Sequence, residues 1–367
     1  MNMQDSFNGI FNKKTILVTG HTGFQGTWLS LWLNILGANV IGYSLKPPTH
    51  PSLFELTELE NEITHYIYDV RDLVQLKKIT QQHNPDIVFH LAAQPIVRYS
   101  YDNPIETFET NVMGTINLLE SLRSTNVKVC EIITSDKCYD NNESQKPHSE
   151  NDPMGGNDPY SASKGAAEIV TSAYRNSFFN KNFKHSTAIA TIRAGNVIGG
   201  GDWATDRIIP DCISQLVAKK PIKLRYPNAI RPWQFVLEPI FGMLLLASKM
   251  FNNSESFSES WNFGPDTLKN DISVQKLVEL VINEWNQNIP INLDDETIKK
   301  PQEEKILRID CTKAKNLLKW KPTYDINQTI TKTISWYKNY YEKKIPVKEF
   351  TINQILEFTK SIKSNVT

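Results

Sequence analysis

The chain has 367 residues, and its 40 Lys and Arg balance 40 Asp and Glu, so it carries no net charge. That excludes a strongly basic binder reading nucleic-acid phosphates through bulk charge, although a local patch stays open. With 40% hydrophobic and 22% charged residues the composition is that of a folded protein with a sizeable core, and the length allows roughly two or three domains.

The opening residues, Met1 to Lys14, hold no apolar leader, and no later stretch reaches the ~18 apolar residues needed for a membrane span. A soluble, cytoplasmic protein with no membrane and no nucleic-acid partner is expected. Cys130, Cys138, Cys212 and Cys311 lie too far apart for paired metal ligands and are too few for a disulfide framework, so free thiols and no metal site are expected.

The first half alternates short β-branched runs with amphipathic segments, the pattern of repeated βα units around a parallel sheet. Strands are predicted at Thr15–Thr19, Asn39–Ser44, Thr64–Tyr68, Ile87–Leu91, Val129–Thr134 and Thr187–Arg193. Trp28, Leu29, Trp32, Leu33 and Leu36 mark a core-facing helix, as do Phe108, Val112, Thr115, Leu118, Leu119 and Leu122. Beyond about residue 200 the pattern is irregular: Gly199, Gly200 and Gly201, short Pro-punctuated pieces, then a Leu- and Met-rich helix around Ile240–Lys249. The Lys-rich stretch Thr329–Thr367 reads as a solvated helical tail.

The first strand runs into Gly20-His21-Thr22-Gly23-Phe24-Gln25-Gly26 and then a helix. Glycines there let the backbone turn and approach a pyrophosphate, whose charge meets the amides of the helix N-terminus; a purely structural turn is the plain alternative. The acidic residue expected at the end of the second strand, to bind ribose hydroxyls, is missing. Ser44 stands there with Lys46 nearby, so NAD is favoured and NADP stays open.

Tyr160 and Lys164 lie four apart on one face of a helix opened by Asp158-Pro159. A neighbouring ammonium is expected to lower the tyrosine pKa and make it a base for a sugar hydroxyl. Tyr340 and Lys344 repeat the spacing, but no strand precedes them, and that copy reads as surface helix. Upstream of Tyr160 a strand ends in Ser135-Asp136-Lys137, where a parallel sheet presents its carboxyl ends; a polar turn cap is the plain alternative.

The glycine loop, His90-Leu91-Ala92-Ala93-Gln94, Asn111, Ser135 and the Tyr160/Lys164 pair together resemble the extended short-chain dehydrogenase/reductase family. Arg193-Ala194-Gly195-Asn196 and the stretch from Asp310 to Pro322 are similar to its nucleotide-sugar-modifying branch. More narrowly, the glycine loop, Tyr43 to Pro48, Thr134 to Tyr139, Asp152 to Gly156 and Gly201-Asp202-Trp203 resemble the CDP-glucose 4,6-dehydratases.

The resemblance, over roughly residues 13–325, implies a doubly wound parallel α/β sheet (Rossmann-like) with a smaller, mostly C-terminal α/β substrate lobe. The expected division is a dinucleotide domain at 13–195, a lobe at 196–345 interleaved with it around 235–260, and a helical tail at 346–367. It further implies a homodimer or tetramer, with CDP-glucose as the small-molecule substrate. Gly20, Thr22, Gly23, Phe24, Gln25, Gly26, Ser44, Asp69, Val70, Leu91, Ala92, Ala93, Gln94, Asn111, Tyr160 and Lys164 would hold the cofactor; Asp69 could equally cap the helix Asp72–Gln82.

For chemistry, the resemblance assigns Tyr160 to the C4 hydroxyl proton, Ser135 to the same oxygen, and Lys164 to the ribose and to Tyr160. Asp136 maps onto the acid for the departing C6 hydroxyl and needs a pKa raised by burial. Related dehydratases carry Asp-Glu at this turn, where Lys137 now stands. Lys137 could take the C5 proton as a neutral amine or, charged, stabilise the enolate. Arg98, Arg193, Arg207 and Arg231 are candidates for a diphosphate, with Arg231 favoured, and Gln94 and Asn196 join Arg98 and Arg207 on the substrate side. A 4-epimerase of the same family is the nearest alternative, and a silent cofactor-binding protein the alternative from another class.

Overall fold

A computed structural model describes residues 3–141, 146–180, 187–266, 271–293 and 304–366. Six predicted strands form, at Thr15–Thr19 (β1), Asn39–Ser44 (β2), Thr64–Ile67 (β3), Ile87–His90 (β4), Val129–Ile133 (β5) and Ala188–Ala194 (β6). A seventh, Ser260–Phe263 (β7), joins from far along the chain. All pairings are parallel, in the order β7-β6-β5-β4-β1-β2-β3. The order reverses between β1 and β4, and a crevice at the carboxyl ends opens there.

Both faces of the sheet are covered, which is why its strands read as continuous apolar runs. On one face lie the helix Phe24–Ile35, with Trp28, Leu29, Trp32 and Leu33 fully buried, and the helix Leu237–Asn252. On the other lie Leu73–His83 and Gly114–Leu122. Phe108 was expected in that core but is 39% exposed. A π-helical turn at Glu109–Met113 adds a residue to the turn and rotates Phe108 away from the face carrying Leu118, Leu119 and Leu122.

A lobe over the carboxyl edge is built from short strand pairs: Val197–Ile198 with Gln234–Phe235, Ile230–Arg231 with Ile272–Ser273, and Ile222–Leu224 with Ile291–Leu293. The helices Ile208–Ala218 and Val274–Trp285 flank them.

The expected solvated tail is instead part of the core. Helices Ile326–Glu342 and Val347–Val366 bury Trp336, Tyr337, Ile355 and Phe358. The lysines occupy one side of these helices, while the aromatic residues recur at helical spacing on the other. Trp336 lies so close to Gly200 that a Cβ there would sit 2.0 Å from its ring, and Phe358 meets Trp32 edge to face. Tyr340 stacks on Trp336, and Lys344 lies past the helix end at Glu342, so this pair shares no exposed helix face. The four cysteines are buried free thiols. Among the described residues no helix is long and apolar enough to cross a membrane.

Candidate active site

The carboxyl ends of the sheet and the lobe enclose a cleft of about 1350 Å³. At one end lies the glycine loop. Gly20 has φ +76° and packs on the next strand's loop, where a Cβ would come 2.7 Å from Ala92 N; a Cβ on Gly26 would come 2.1 Å from Gly20 O. Only glycine permits that approach, and it leaves the first amides of the helix Phe24–Ile35 facing the cleft with no side-chain cap at Gly23.

Thr22 Oγ1 hydrogen-bonds Ser44 Oγ at 2.9 Å and donates to Leu45 O, tying this loop to the end of β2. His90, pushed down to a pKa of about 3 by burial and then by Lys164, is a neutral strut between Thr19 and Thr115.

Gly20, Thr22, Gly23, Phe24, Gln25, Gly26, Ser44, Asp69, Val70, Leu91, Ala92 and Ala93 all line this end. Asp69 is not the helix cap. Asp72 fills that role by accepting from Gln75 N, while Asp69 accepts from the backbone and guanidinium of Arg71. Gln94 and Asn111 stand behind the cleft. The Gln94 amide donates to Thr107 and accepts from Ile96 N, and Asn111 bonds Gln94 N, Gln94 O and Ser163 Oγ. These two join the β4 loop to the tyrosine helix, Pro159–Ser177, and neither lines the cleft.

Ser135, Asp136, Lys137, Tyr160 and Lys164 line one wall. Ser135 caps the short turn after β5: its Oγ accepts from Lys137 N and donates to Asp136 Oδ1 at 3.0 Å. The other Asp136 oxygen, Oδ2, is buried with no hydrogen-bond partner among the described residues. Burial raises the Asp136 pKa, against Lys137, the Ser135 hydrogen bond and Arg231, which favour the ionised form. That is the bias a proton donor needs.

Tyr160 is placed by Asp158, whose side chain accepts from Ser161 N, and by its own amide donating to Ser100 Oγ. The expected lowering of its pKa is not found. Burial pushes it up to about 12, and the Ser135 hydrogen bond and Arg207 offset only part of this. Lys164, lowered to about 8 by burial, donates to Ile133 O at 3.2 Å, so its ammonium is directed at the strand end.

The arginines divide. Arg231, Arg207 and Arg98 line the cleft, as does Asn196. Arg207 pairs with Asp202 at 2.8 Å, and Arg98 with Asp206 at 3.0 Å. Arg193 does not reach the cleft: it forms a buried pair with Glu168 at 2.8 Å and lies over the Tyr139 ring. Its place inside β6, one residue before the strand end, points it beneath the sheet edge.

Asp202, Asp206 and Arg225 were missed in the sequence. Asp206 holds both Arg98 and Arg225. Asp202 stood in the Gly201-Asp202-Trp203 motif with no role assigned, and the partner that brings Asp206 to the site, Arg98, lies on a segment remote in the chain.

The model of the family described as GDP-mannose 4,6 dehydratase matches residues 17–333. The chain is 48% identical over 328 residues to a CDP-glucose 4,6-dehydratase of Salmonella typhimurium, covering 89% of this chain and 90% of that protein. Among solved structures, UDP-glucuronic acid 4-epimerase from Bacillus cereus in complex with UDP-glucuronic acid and NAD superposes with TM-score 0.77 at 23% identity, over 89% of this chain and all of that one. A dTDP-glucose 4,6-dehydratase from Bacillus anthracis in complex with NAD gives 0.73 at 20% identity, over 91% of this chain and all of that one. These two likenesses are of fold.

Proposed function

The chain belongs to the GDP-mannose 4,6 dehydratase family, and from that premise we infer that it is a nucleotide-sugar 4,6-dehydratase of the CDP-glucose type, a lyase that forms a 4-keto-6-deoxy sugar. The observation that carries this reading is Asp136, buried in the cleft wall with its pKa raised by that burial, beside Ser135, Tyr160 and Lys164. A 4-epimerase needs the tyrosine and lysine but has no leaving hydroxyl to protonate.

The cradle at Gly20 and Gly26 and the cleft beyond it fit NAD, which Thr22, Ser44, Asp69, Val70 and Ala92 would hold. NAD supplies the hydride acceptor at the start of a turnover and the hydride donor at its end. No carboxylate at Ser44 bars a 2′-phosphate, and the preference for NAD rests on the family.

Tyr160 takes the C4 hydroxyl proton while Ser135 binds the same oxygen. The C4 ketone then acidifies C5, and Lys137 removes that proton. Asp136 gives its proton to the C6 hydroxyl, which leaves as water. The hydride taken from C4 would return at C6 from the bound cofactor, and reprotonation at C5 would complete the balance, with one water lost. Arg231 and Arg207 hold the diphosphate by bidentate hydrogen bonds, and Asn196 supports the sugar.

Exposed Ile105, Phe108, Met113 and Ile169, on neighbouring helices of one face, support a homodimer. The test of function is product mass after incubation with CDP-, dTDP-, UDP- and GDP-glucose. Loss of one water from CDP-glucose alone is expected; an isobaric product would mean epimerisation.

A further inference from the structure

The helix Ile208–Ala218 of the lobe has two faces. Ile209, Cys212, Ile213 and Leu216 are buried on one, whereas Arg207, Asp211, Ser214 and Gln215, spaced by three and four residues, line the cleft on the other. Asp211 N donates to Arg207 O at 3.0 Å, so Asp211 stands one helical turn, ~5 Å, beyond the arginine assigned to the diphosphate. With the sugar against Ser135 and Tyr160 and the diphosphate at Arg207 and Arg231, the nucleoside has to lie farther along this face. The opposite side of the cleft there is the strand Ile222–Leu224, which packs on the helix, and Arg225, held by Asp206 at 2.7 Å.

The carboxylates of this part of the cleft are not equivalent. Asp202 is spent on Arg207, and Asp206 on Arg98 and Arg225. Among the described residues Asp211 forms no ion pair. Its carboxyl accepts from the Asp206 amide, which leaves lone pairs for a ligand in the cleft. Burial raises its pKa, Arg225 and that amide oppose the rise, and the charges of Asp206 and Asp202 add to it. At mildly alkaline pH the group is a carboxylate, and a carboxylate can only accept.

That property sorts the pyrimidines. In a cytosine nucleotide the sole donor on the base is the 4-amino group, beside acceptors at N3 and O2, whereas uracil and thymine carry an acceptor, O4, at the same place. A carboxylate at that edge gains a hydrogen bond from cytosine and faces a second acceptor in the other two.

We propose that Asp211 selects the nucleobase, its carboxylate accepting from the 4-amino group of cytosine and repelling the 4-oxygen of uracil and thymine. The proposal rests on the dehydratase reading above and gives that site the residue by which it prefers CDP-glucose to its UDP and dTDP counterparts.

The test is calorimetric binding of CDP and of UDP to the NAD-loaded wild type, Asp211→Asn and Asp211→Ala at mildly alkaline pH. The wild type should bind CDP roughly 10–100-fold more tightly than UDP. In Asp211→Asn the side-chain amide can donate to O4 as well as accept from the amino group, so the ratio should fall to near one. In Asp211→Ala CDP should weaken while UDP holds or gains. A merely structural role for Asp211 would weaken both nucleotides alike and keep the ratio. An unchanged ratio in either variant overturns the proposal, as does a wild type with no preference for CDP. If Asp211→Asn fails to fold, Asp211→Ala decides alone, and its retained UDP binding reports that its cleft is intact. A wild type that prefers CDP but releases no water from any of the four nucleotide sugars would refute the dehydratase reading, a result distinct from an unchanged ratio.

Discussion

At the carboxyl edge of the sheet, Ser135, Asp136, Tyr160 and Lys164 come from one strand end and the helix that follows it, whereas Arg207 and Arg231 reach the same cleft from a lobe fastened down by the last two helices. The edge is held mostly by local bonds, Ser135 to Asp136 and Asp158 to Ser161, with Tyr160 N reaching Ser100 on an earlier helix. The lobe is held by contacts across the whole chain. Tyr337 OH donates to Asp202 O, Asp202 holds Arg207, and Trp336 fills the space left by Gly200. Chemistry at the edge can therefore be altered without unfolding, while placement of the arginines depends on packing far away.

Substitutions can test that division. The largest effect is expected for Tyr160→Phe, which removes the acceptor for the C4 hydroxyl proton: kcat should fall about 10²–10⁴-fold with little change in thermal midpoint. A fall in stability of similar size would break the comparison. Trp336→Ala should do the reverse, costing ~3–5 kcal/mol in denaturant unfolding. It should also raise KM through the Asp202–Arg207 pair while sparing kcat in the folded fraction. An unchanged KM would separate the C-terminal helices from the site.

A smaller effect sharpens the contrast within β5 itself. Glu131, in the middle of the strand, is fully buried with both oxygens unpaired among the described residues, and burial raises its pKa well above 4.5. Its folded form keeps a proton that the unfolded chain releases, so the stability it allows is greatest below that value and declines as pH rises above it. Glu131→Met should flatten this decline and gain ~1 kcal/mol at neutral pH, read from urea midpoints across the pH range. Glu168 has the opposite sign. Burial pushes its pKa up, but the Arg193 hydrogen bond and charge, with Thr134 and Thr191, bring it below the usual value. Its stability is present above the ordinary carboxylate range and lost as pH falls.

The same division decides what could be read from the sequence. The strands depend on short continuous apolar runs, the Tyr160/Lys164 face on a four-residue period, and the glycine loop on a spacing that records a close backbone approach. These features are local, and the structure places them as read. Arg193 read as a ligand arginine because its partner Glu168 lies on another element, and nothing in the spacing ties the two. Gln94 and Asn111 lie in the right motif but spend their amides on Thr107, Ile96 and Ser163. The last two helices read as a tail because lysines hid the aromatic stripe of Trp336, Tyr337 and Tyr340. The pKa of Tyr160 depends on burial, which a four-residue spacing does not report.

The division of labour at the strand end is tested most directly by Asp136→Asn with CDP-glucose in deuterated water. Oxidation at C4 and proton removal at C5 do not need this acid, but departure of the C6 hydroxyl does. The account predicts almost no dehydrated product, and recovered CDP-glucose carrying deuterium at C5, a label that Lys137→Met should abolish. Dehydration at the wild-type rate, or recovered substrate without label, would contradict it.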